Sequence, residues 1–257
     1  MQGKPLPLPG AAFPVVCAPL VARTHDALVE EARAVSAKKP GLIEWRVDFF
    51  DGIANTASVV ETLAAIREVA AGIPVLFTRR SFKEGGEPIA INETQVLAMY
   101  RAVCASGHAA LVDYEMGNEP ADVAQVREMS RAHGVKLVLS FHDFGKTPDA
   151  GFLASRLALA QKLGADVAKV AVMPKGMDDV LVLLGATLQA SQALAIPVVS
   201  MAMGRYGAVT RLCGWTFGSA MTFAVGQSSS APGQMPIEDI DAGIAMLKRA
   251  VGQGPVA

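Results

Sequence analysis

The sequence has little charge and almost no net charge. Its 257 residues include 23 lysines and arginines against 24 aspartates and glutamates, which gives a net charge of −1 at pH 7. A chain so close to neutrality does not bind nucleic acid or an anionic membrane surface through its overall charge. Charged residues make up only 18% of the chain and hydrophobic residues 51%, which excludes an intrinsically disordered protein.

Long apolar runs and cysteine pairs are also missing. No uninterrupted apolar stretch approaches the roughly 20 residues of a membrane-spanning helix, so we expect the apolar residues to form a core. Five prolines within residues 1–20 argue against a secretion signal. The three cysteines, Cys17, Cys104 and Cys213, are widely spaced and lack metal-ligand spacing. They predict free thiols in a reducing cytoplasm and no metal site, with a catalytic cysteine as the alternative.

Short β-branched runs alternate with longer amphipathic runs along the whole chain. Candidate strands cover 13–20, 41–48, 73–78, 108–115, 135–142, 165–173, 196–201 and 217–225, and candidate helices cover 24–38, 56–71, 91–106, 119–133, 149–163, 176–194 and 236–252. Eight such units predict a parallel sheet closed as a single (β/α)8 TIM barrel over residues 1–257. The N-terminal extension would be residues 1–12. An open doubly wound sheet is the alternative, although the first strand lacks its GxGxxG turn.

Polar side chains cluster at the carboxyl-terminal halves of the predicted strands. They are Glu44, Arg46 and Asp48, then Arg79 and Arg80, Asp113 and Glu115, Ser140 and His142, and Lys169. Side chains alternate between the two faces of a strand, so Glu44, Arg46 and Asp48 are expected on one face. Barrel enzymes carry their chemistry at this end. A salt-bridge network that only stabilises the barrel is the alternative, but five strands polar at the same end favour an active site.

Two of these residues carry recognisable chemistry. Lys169 lies in an apolar strand, and if it faces the barrel interior, the loss of hydration favours the neutral amine that forms an imine with a carbonyl group. The local sequence leaves open a lysine that faces outward between helices. His142 ends a strand, where it is suited to general acid–base catalysis.

Two loops and one arginine are the remaining candidates for the functional site. Lys83–Glu87 and Ser228–Gln234 are rich in small residues, and residues 228–235 are the predicted lid, with an ordinary flexible turn as the alternative. Arg211 follows the seventh strand and could bind a carboxylate or a phosphate with both guanidinium nitrogens.

Six separated segments, taken together, resemble the type I 3-dehydroquinate dehydratases. They are Glu44-Trp-Arg-Val-Asp48, Phe77-Thr-Arg-Arg-Ser81 with Glu84-Gly-Gly86, Ser140-Phe-His-Asp-Phe144, Lys169 in its apolar strand, Met201-Ala-Met-Gly204 through Thr210-Arg211, and Ser230-Ala-Pro-Gly-Gln234. They occur in order over about residues 13–250. Thr210 stands where the family usually has serine.

The resemblance implies a barrel that dehydrates 3-dehydroquinate to 3-dehydroshikimate in the shikimate pathway of aromatic amino acid biosynthesis. Lys169 would form a Schiff base with the substrate ketone, His142 would transfer protons, and Glu84 would orient His142. The residues implied in substrate binding are Glu44, Arg46, Arg80, Arg211, Ser230 and Gln234, with Met201, Met203, Phe144 and Phe223 as apolar walls. The resemblance also implies a cytoplasmic homodimer without a metal or organic cofactor.

Two other functions are compatible with the same residues. Another lysine-imine barrel, such as an aldolase acting on sugar phosphates, would need a phosphate site in the last two loops. Arg211 together with Glu44 and Arg46 favours a carboxylate and hydroxyl groups instead. A barrel that binds a metabolite without turning it over is the non-enzymatic alternative.

Overall fold

The computed structural model describes residues 3–251. Its strands are β1 (Val15–Leu20), β2 (Leu42–Arg46), β3 (Val75–Thr78), β4 (Leu111–Glu115), β5 (Lys136–Asp143), β6 (Val167–Val172), β7 (Val198–Ala202), β8 (Met221–Val225) and β9 (Met235–Pro236). Its helices are α1 (His25–Ala37), α2 (Thr56–Val69), α3 (Glu93–Ser106), α4 (Pro120–Ala132), α5 (Ala150–Lys162), α6 (Met177–Ala193), α7 (Ala208–Cys213) and α8 (Ile237–Val251). Strand and helix alternate from β1 to β8, as predicted, and the unpredicted two-residue strand β9 precedes α8.

All of the strand pairs are parallel, and the sheet closes on itself. The sheet order is β7-β6-β5-β4-β3-β2-β1-β8-β9. Between β7 and the segment that leads into β8, the backbone N–H of Ala220 donates to the carbonyl of Val198 at 2.8 Å, and Val198 also forms a bridge with Ser219. The predicted (β/α)8 barrel is therefore confirmed, and the open doubly wound alternative is excluded.

The inside of the barrel has an apolar level and a polar level. Leu76, Leu111, Val138 and Val167 belong to one buried cluster inside the strands. Two residues further along β4, β5 and β6 stand Asp113, Ser140 and Lys169, all buried. Because side chains on one face repeat every second residue, the strand register that buries the apolar level also brings the polar level into the barrel.

The N-terminal extension contributes to the apolar level. Leu6 is only 3% exposed and packs in the same interior cluster as Val15 and Leu42, with Leu8 and Phe13 against it. The predicted single domain over 1–257 also includes residues 1–2 and 252–257, which lie outside the described residues.

Four of the helices, α1, α2, α3 and α5, begin at a capping side chain. Thr24 accepts from the backbone N–H of Ala27 at the start of α1, and Asp149 accepts from that of Phe152 at the start of α5. Asn92 and Gln95 form a reciprocal capping box at the start of α3. Within residues 3–251, no helix is long and apolar enough to cross a lipid bilayer.

The bounds of all eight predicted strands differ from the structure by a few residues, and two of these differences have a clear local cause. Asp48 does not lie on β2 as expected, because residues 47–49 form a 3₁₀ turn. Its carboxylate accepts the backbone N–H groups of Arg80 at 3.2 Å and Glu87 at 3.1 Å, which draws the chain away from the strand path. The eighth strand begins at Met221 rather than at 217, because Gly214–Phe217 form another 3₁₀ turn.

Candidate active site

One cavity at the carboxyl-terminal end of the strands contains every residue predicted for the site. The lining residues are Glu44, Arg46, Arg80, Glu84, Gly85, His142, Phe144, Lys169, Ala171, Met201, Met203, Arg211, Phe223, Ser230, Ala231 and Gln234. Gly85, Ala171 and Ala231 were not among the predicted residues. They are small and offer no functional side chain from which sequence could have identified them.

Lys169 faces the interior of the barrel and is only 3% exposed. Its Nζ donates to Oδ2 of Asp113 at 2.9 Å and lies 3.9 Å from Oε1 of Glu44. The ring of Phe223 covers the nitrogen at 4.8 Å from the ring centroid. The outward-facing alternative is therefore wrong, because the pairing of Ser140 with Lys169 in the β5–β6 register turns this side chain inward.

Asp113 joins the lysine to an arginine. Its Oδ1 accepts from Nη2 of Arg80 at 2.8 Å and from the Ser140 hydroxyl at 2.6 Å. Burial alone would raise the pKa of this carboxyl, but the charges of Arg80 and Lys169 outweigh burial and hold the pKa well below its usual range. Asp113 is therefore an ionised carboxylate between two cations.

His142 is paired with Glu84. Nδ1 of the ring lies 2.8 Å from Oε2 of Glu84, and the backbone N–H of His142 donates to the same oxygen at 3.0 Å. Burial, followed by the charges of Arg80 and Lys169, holds the pKa of His142 well below its usual value. Burial and the carboxylate of Glu115 raise the pKa of Glu84. These opposite shifts favour a neutral imidazole whose Nε2 is left for proton transfer.

The segment after β3 carries Arg80 and Glu84 into the cavity. Ser81 caps a 3₁₀ turn by accepting the backbone N–H of Glu84 through its hydroxyl, and Gly85 ends the turn at φ +83°. A Cβ atom on Gly85 would lie 2.3 Å from the ring of Phe144, and one on Gly86 would lie 2.1 Å from the carbonyl oxygen of Arg80. The glycines allow the turn to fold tightly enough for Glu84 to reach His142.

Glu44 and Arg46 are held by their own neighbours. Oε1 of Glu44 accepts from the Thr78 hydroxyl at 2.9 Å. Arg46 forms a two-point ion pair with Asp48, through Nε at 2.8 Å and Nη2 at 2.7 Å. The planar guanidinium is thus fixed in direction, while Nη1 points to the carbonyl of Ser230 at 3.4 Å.

Arg211 is a buried guanidinium without a carboxylate partner among residues 3–251. It donates to two carbonyls, those of Phe223 at 3.3 Å and Pro232 at 3.2 Å, and its Nε is buried without a partner. Burial lowers its pKa to about 10. An uncompensated cation of this kind is a site for an anionic group from outside the chain.

The loop between β8 and β9 closes one side of the cavity. Oε1 of Gln234 accepts the backbone N–H of Ser230 at 3.0 Å, and its Nε2 donates to the Ser230 hydroxyl at 3.1 Å. The carbonyl of Pro232 also accepts from the backbone N–H of Gly204 at 3.2 Å. The first two contacts hold the loop together internally, and the third joins it to the segment after β7.

Four polar residues of this network were outside the predicted site. Asp48, Asp113, Glu115 and Ser140 were part of the polar cluster at the strand ends, but only their partners were assigned roles. Their contacts depend on which strands are neighbours in the sheet, which the sequence does not show. Arg80, after β3, contacts Glu115 on β4 at 3.0 Å and Ser140 on β5 at 2.9 Å. Within the described part of the chain, no group of three histidine, cysteine or acidic side chains is arranged to hold a metal ion.

The fold and the site define a (β/α)8-barrel enzyme that acts on a small molecule. Residues 16–250 match the family model described as type I 3-dehydroquinase. The chain therefore belongs to the type I 3-dehydroquinase family, whose members are hydro-lyases.

Individual relatives agree with the family match. The chain is 55% identical to the 3-dehydroquinate dehydratase of Albidiferax ferrireducens over 248 residues, which covers 96% of this chain and 94% of the relative. The crystal structure of the Geobacillus kaustophilus enzyme is 46% identical, with a TM-score of 0.92 and coverage of 96% and 97%. The type I enzyme of Clostridium difficile, solved with covalent modified comenic acid, is 35% identical, with a TM-score of 0.91 and coverage of 97% and 99%.

Proposed function

We propose that this protein dehydrates 3-dehydroquinate to 3-dehydroshikimate, a step of the shikimate pathway, through an imine between Lys169 and the substrate ketone. The observation that carries the proposal is the combination of three groups in one cavity: the buried Lys169 amine, the His142–Glu84 pair and the Arg211 guanidinium without a counter-charge. The substrate offers the matching groups, which are a ketone, a departing hydroxyl and a carboxylate.

Lys169 is the proposed nucleophile. As an ammonium it first gives a proton to the neutral imidazole of His142, and the free amine then adds to the ketone carbon. The nitrogen of the adduct passes one proton to the oxygen, which gives a carbinolamine. The imidazolium then returns its proton to this hydroxyl, which leaves as water. The product is an N-protonated iminium. The Clostridium difficile relative was solved with covalent modified comenic acid, which is compatible with a nucleophilic side chain in this family.

His142 is the proposed acid and base of the elimination. The iminium withdraws electrons, so the adjacent C–H bond becomes acidic and Nε2 of His142 takes its proton. The electron pair moves onto the iminium nitrogen to give an enamine, which then expels the hydroxyl as the imidazolium protonates it. Hydrolysis of the conjugated iminium releases the enone product and regenerates Lys169. Glu84 fixes the imidazole ring through Nδ1 during these transfers.

Arg211 is the proposed partner of the substrate carboxylate, because it is the buried cation of the cavity without an ion pair among the described residues. Glu44, Arg46 and Arg80 are the proposed hydrogen-bonding partners of the ring oxygens, and Ser230 and Gln234 would bind from the loop. We assign Met201, Met203, Phe144 and Phe223 to the apolar walls. The lid role of residues 228–235 is part of the same proposal.

Borohydride trapping tests the central step. Treatment of the wild-type protein with borohydride in the presence of 3-dehydroquinate should add the reduced ligand's mass to Lys169, identified by peptide mass spectrometry. The Lys169→Ala variant should form no adduct and lose turnover of the enone product while staying folded. Lys162→Ala, an exposed lysine on α5, is the matched control and should behave as wild type. A folded wild-type protein without an adduct would refute the imine mechanism.

The resemblance also carries two proposals about the cellular form of the protein. We propose a homodimer that works in the cytoplasm. Sedimentation equilibrium should give twice the mass of the 257-residue chain. A single-chain mass at micromolar concentration would overturn the dimer.

A further inference from the structure

The two oxygens of the Asp113 carboxylate have different partners. Oδ1 accepts from Arg80 and Ser140, at 2.8 and 2.6 Å. Oδ2 accepts from Nζ of Lys169 at 2.9 Å, and Lys169 is its one protein partner among residues 3–251. Asp113 itself has no exposed surface. Arg80 and Ser140 therefore fix the direction of the carboxylate and leave one oxygen aimed at the lysine nitrogen.

We infer that Asp113 is a catalytic residue that serves as the counter-ion of the Lys169 nitrogen, both in the resting ammonium and in the iminium that follows. The inference rests on the proposed function, since it concerns the nitrogen at which the imine forms. Nothing in the resemblance or in the family match assigns this role to Asp113.

One carboxylate can serve as the counter-ion of both the resting ammonium and the iminium. In the overall step, the ammonium and the ketone give the N-protonated iminium and one molecule of water. The positive charge stays on the same nitrogen, and one of its N–H bonds survives. An acceptor 2.9 Å away in the resting state is therefore placed to accept from the iminium N–H without a change of partner.

Glu44 is a poorer candidate for this role. Its Oε1 lies 3.9 Å from Nζ, beyond hydrogen-bond distance, and already accepts from Thr78 at 2.9 Å. Glu115 is on the same strand as Asp113 and shares the ion pair with Arg80 at 3.0 Å, but it does not pair with Lys169. The two carboxylates of β4 thus form a natural pair of test and control.

Removal of the Asp113 charge should change the pH dependence in a defined direction. A nearby anion favours the protonated form of an iminium, so its loss makes the iminium lose its proton at lower pH. The other titratable or charged groups near the nitrogen or in the same cavity are Cys17 on β1, Glu44 and Arg46 on β2, Arg80 and Glu84 after β3, His142 on β5 and Arg211 on α7. All of them are unchanged in the variants below.

The experiment compares Asp113→Asn with Glu115→Gln. In D113N we expect kcat to fall about 100-fold or more, as for the loss of a group that stabilises charge in a buried site. We also expect the alkaline limb of the kcat profile to move at least about one pH unit downward. In E115Q the alkaline limb should stay at its wild-type pH, whether or not kcat falls. An unshifted limb in D113N, or an equal shift in both variants, would overturn the inference.

A second measurement tests the inference even if D113N does not fold. The crystal structure of the borohydride-reduced wild-type adduct should keep Oδ2 of Asp113 within hydrogen-bond distance of the Lys169 nitrogen. A separation beyond 4 Å would contradict the inference. The absence of any adduct in the wild type would instead refute the proposed function, so the two failures are distinguishable.

Discussion

A single carboxylate oxygen of Glu84 contacts His142 twice. Oε2 lies 2.8 Å from the ring nitrogen Nδ1 and accepts the backbone N–H of the same residue at 3.0 Å. The backbone contact fixes the carboxyl group of Glu84 relative to β5, and the ring contact fixes the imidazole relative to this carboxyl group. Glu84 therefore sets the direction of the other ring nitrogen without being near it.

The first prediction concerns this contact. Glu84→Ala should lower kcat about 10-fold to 100-fold, because the imidazole loses its orientation. Glu84→Gln should lose less, because burial already favours the neutral form of this carboxyl and an amide keeps the acceptor for the backbone N–H. Steady-state kinetics with 3-dehydroquinate measure both. Glu87→Gln, on the same loop but outside the cavity, is the control, and equal losses in E84Q and E84A would contradict the orienting role.

The second prediction concerns pH. Burial and the neighbouring charges of Arg80 and Lys169 lower the pKa of His142, so the imidazole stays neutral as the pH falls through its usual value of about 6.5. The ring proton signal of His142 should therefore titrate well below pH 6.5 in an NMR titration. The signal is assigned as the one lost in His142→Asn and kept in His133→Asn. A midpoint near 6.5 would show that burial does not control this ring.

The third prediction separates binding from stability at Arg211. Arg211→Met should raise the KM for 3-dehydroquinate at least about 30-fold, through loss of the carboxylate partner. The Tm should stay the same or rise, because burial opposes this unpaired charge and methionine fills a similar volume. The exposed Arg205→Met is the control on the same connection. A wild-type KM, or a Tm lower by more than about 4 °C, would be incompatible with this role.

The fourth prediction concerns the β8–β9 loop. Gly233 has φ +79°, and a Cβ atom there would lie 2.3 Å from the carbonyl oxygen of Gly204. Gly233→Ala should push the loop from the cavity wall and raise KM about tenfold, with a smaller effect on kcat. Gly185→Ala is the control, because no atom lies within 4 Å of its added Cβ in the middle of α6. If G233A binds substrate as wild type does, the loop contacts are not needed for binding.

The sequence predicted the order of the eight barrel strands and the larger side chains of the cavity, but not the pairings within it. The apolar runs with polar ends were sufficient to locate β4, β5 and β6. The direction of Lys169 was open, because a strand buried on both faces has no polar side to mark its orientation. The contact between Asp113 and Lys169 depends on neighbours 56 residues apart in the chain, and only the strand register brings them together.

The apolar and the polar level inside the barrel place residues for stability and residues for chemistry two positions apart on the same strand. On β6, Val167 belongs to the apolar level and Lys169 is the proposed nucleophile. On β4, Leu111 belongs to the apolar level and Asp113 is the proposed counter-ion. Substitutions at the lower position are therefore expected to affect folding, while those at the upper position affect chemistry. A barrel organised in this way can be redesigned for another reaction by changing its upper level, on a foundation that stays as it is.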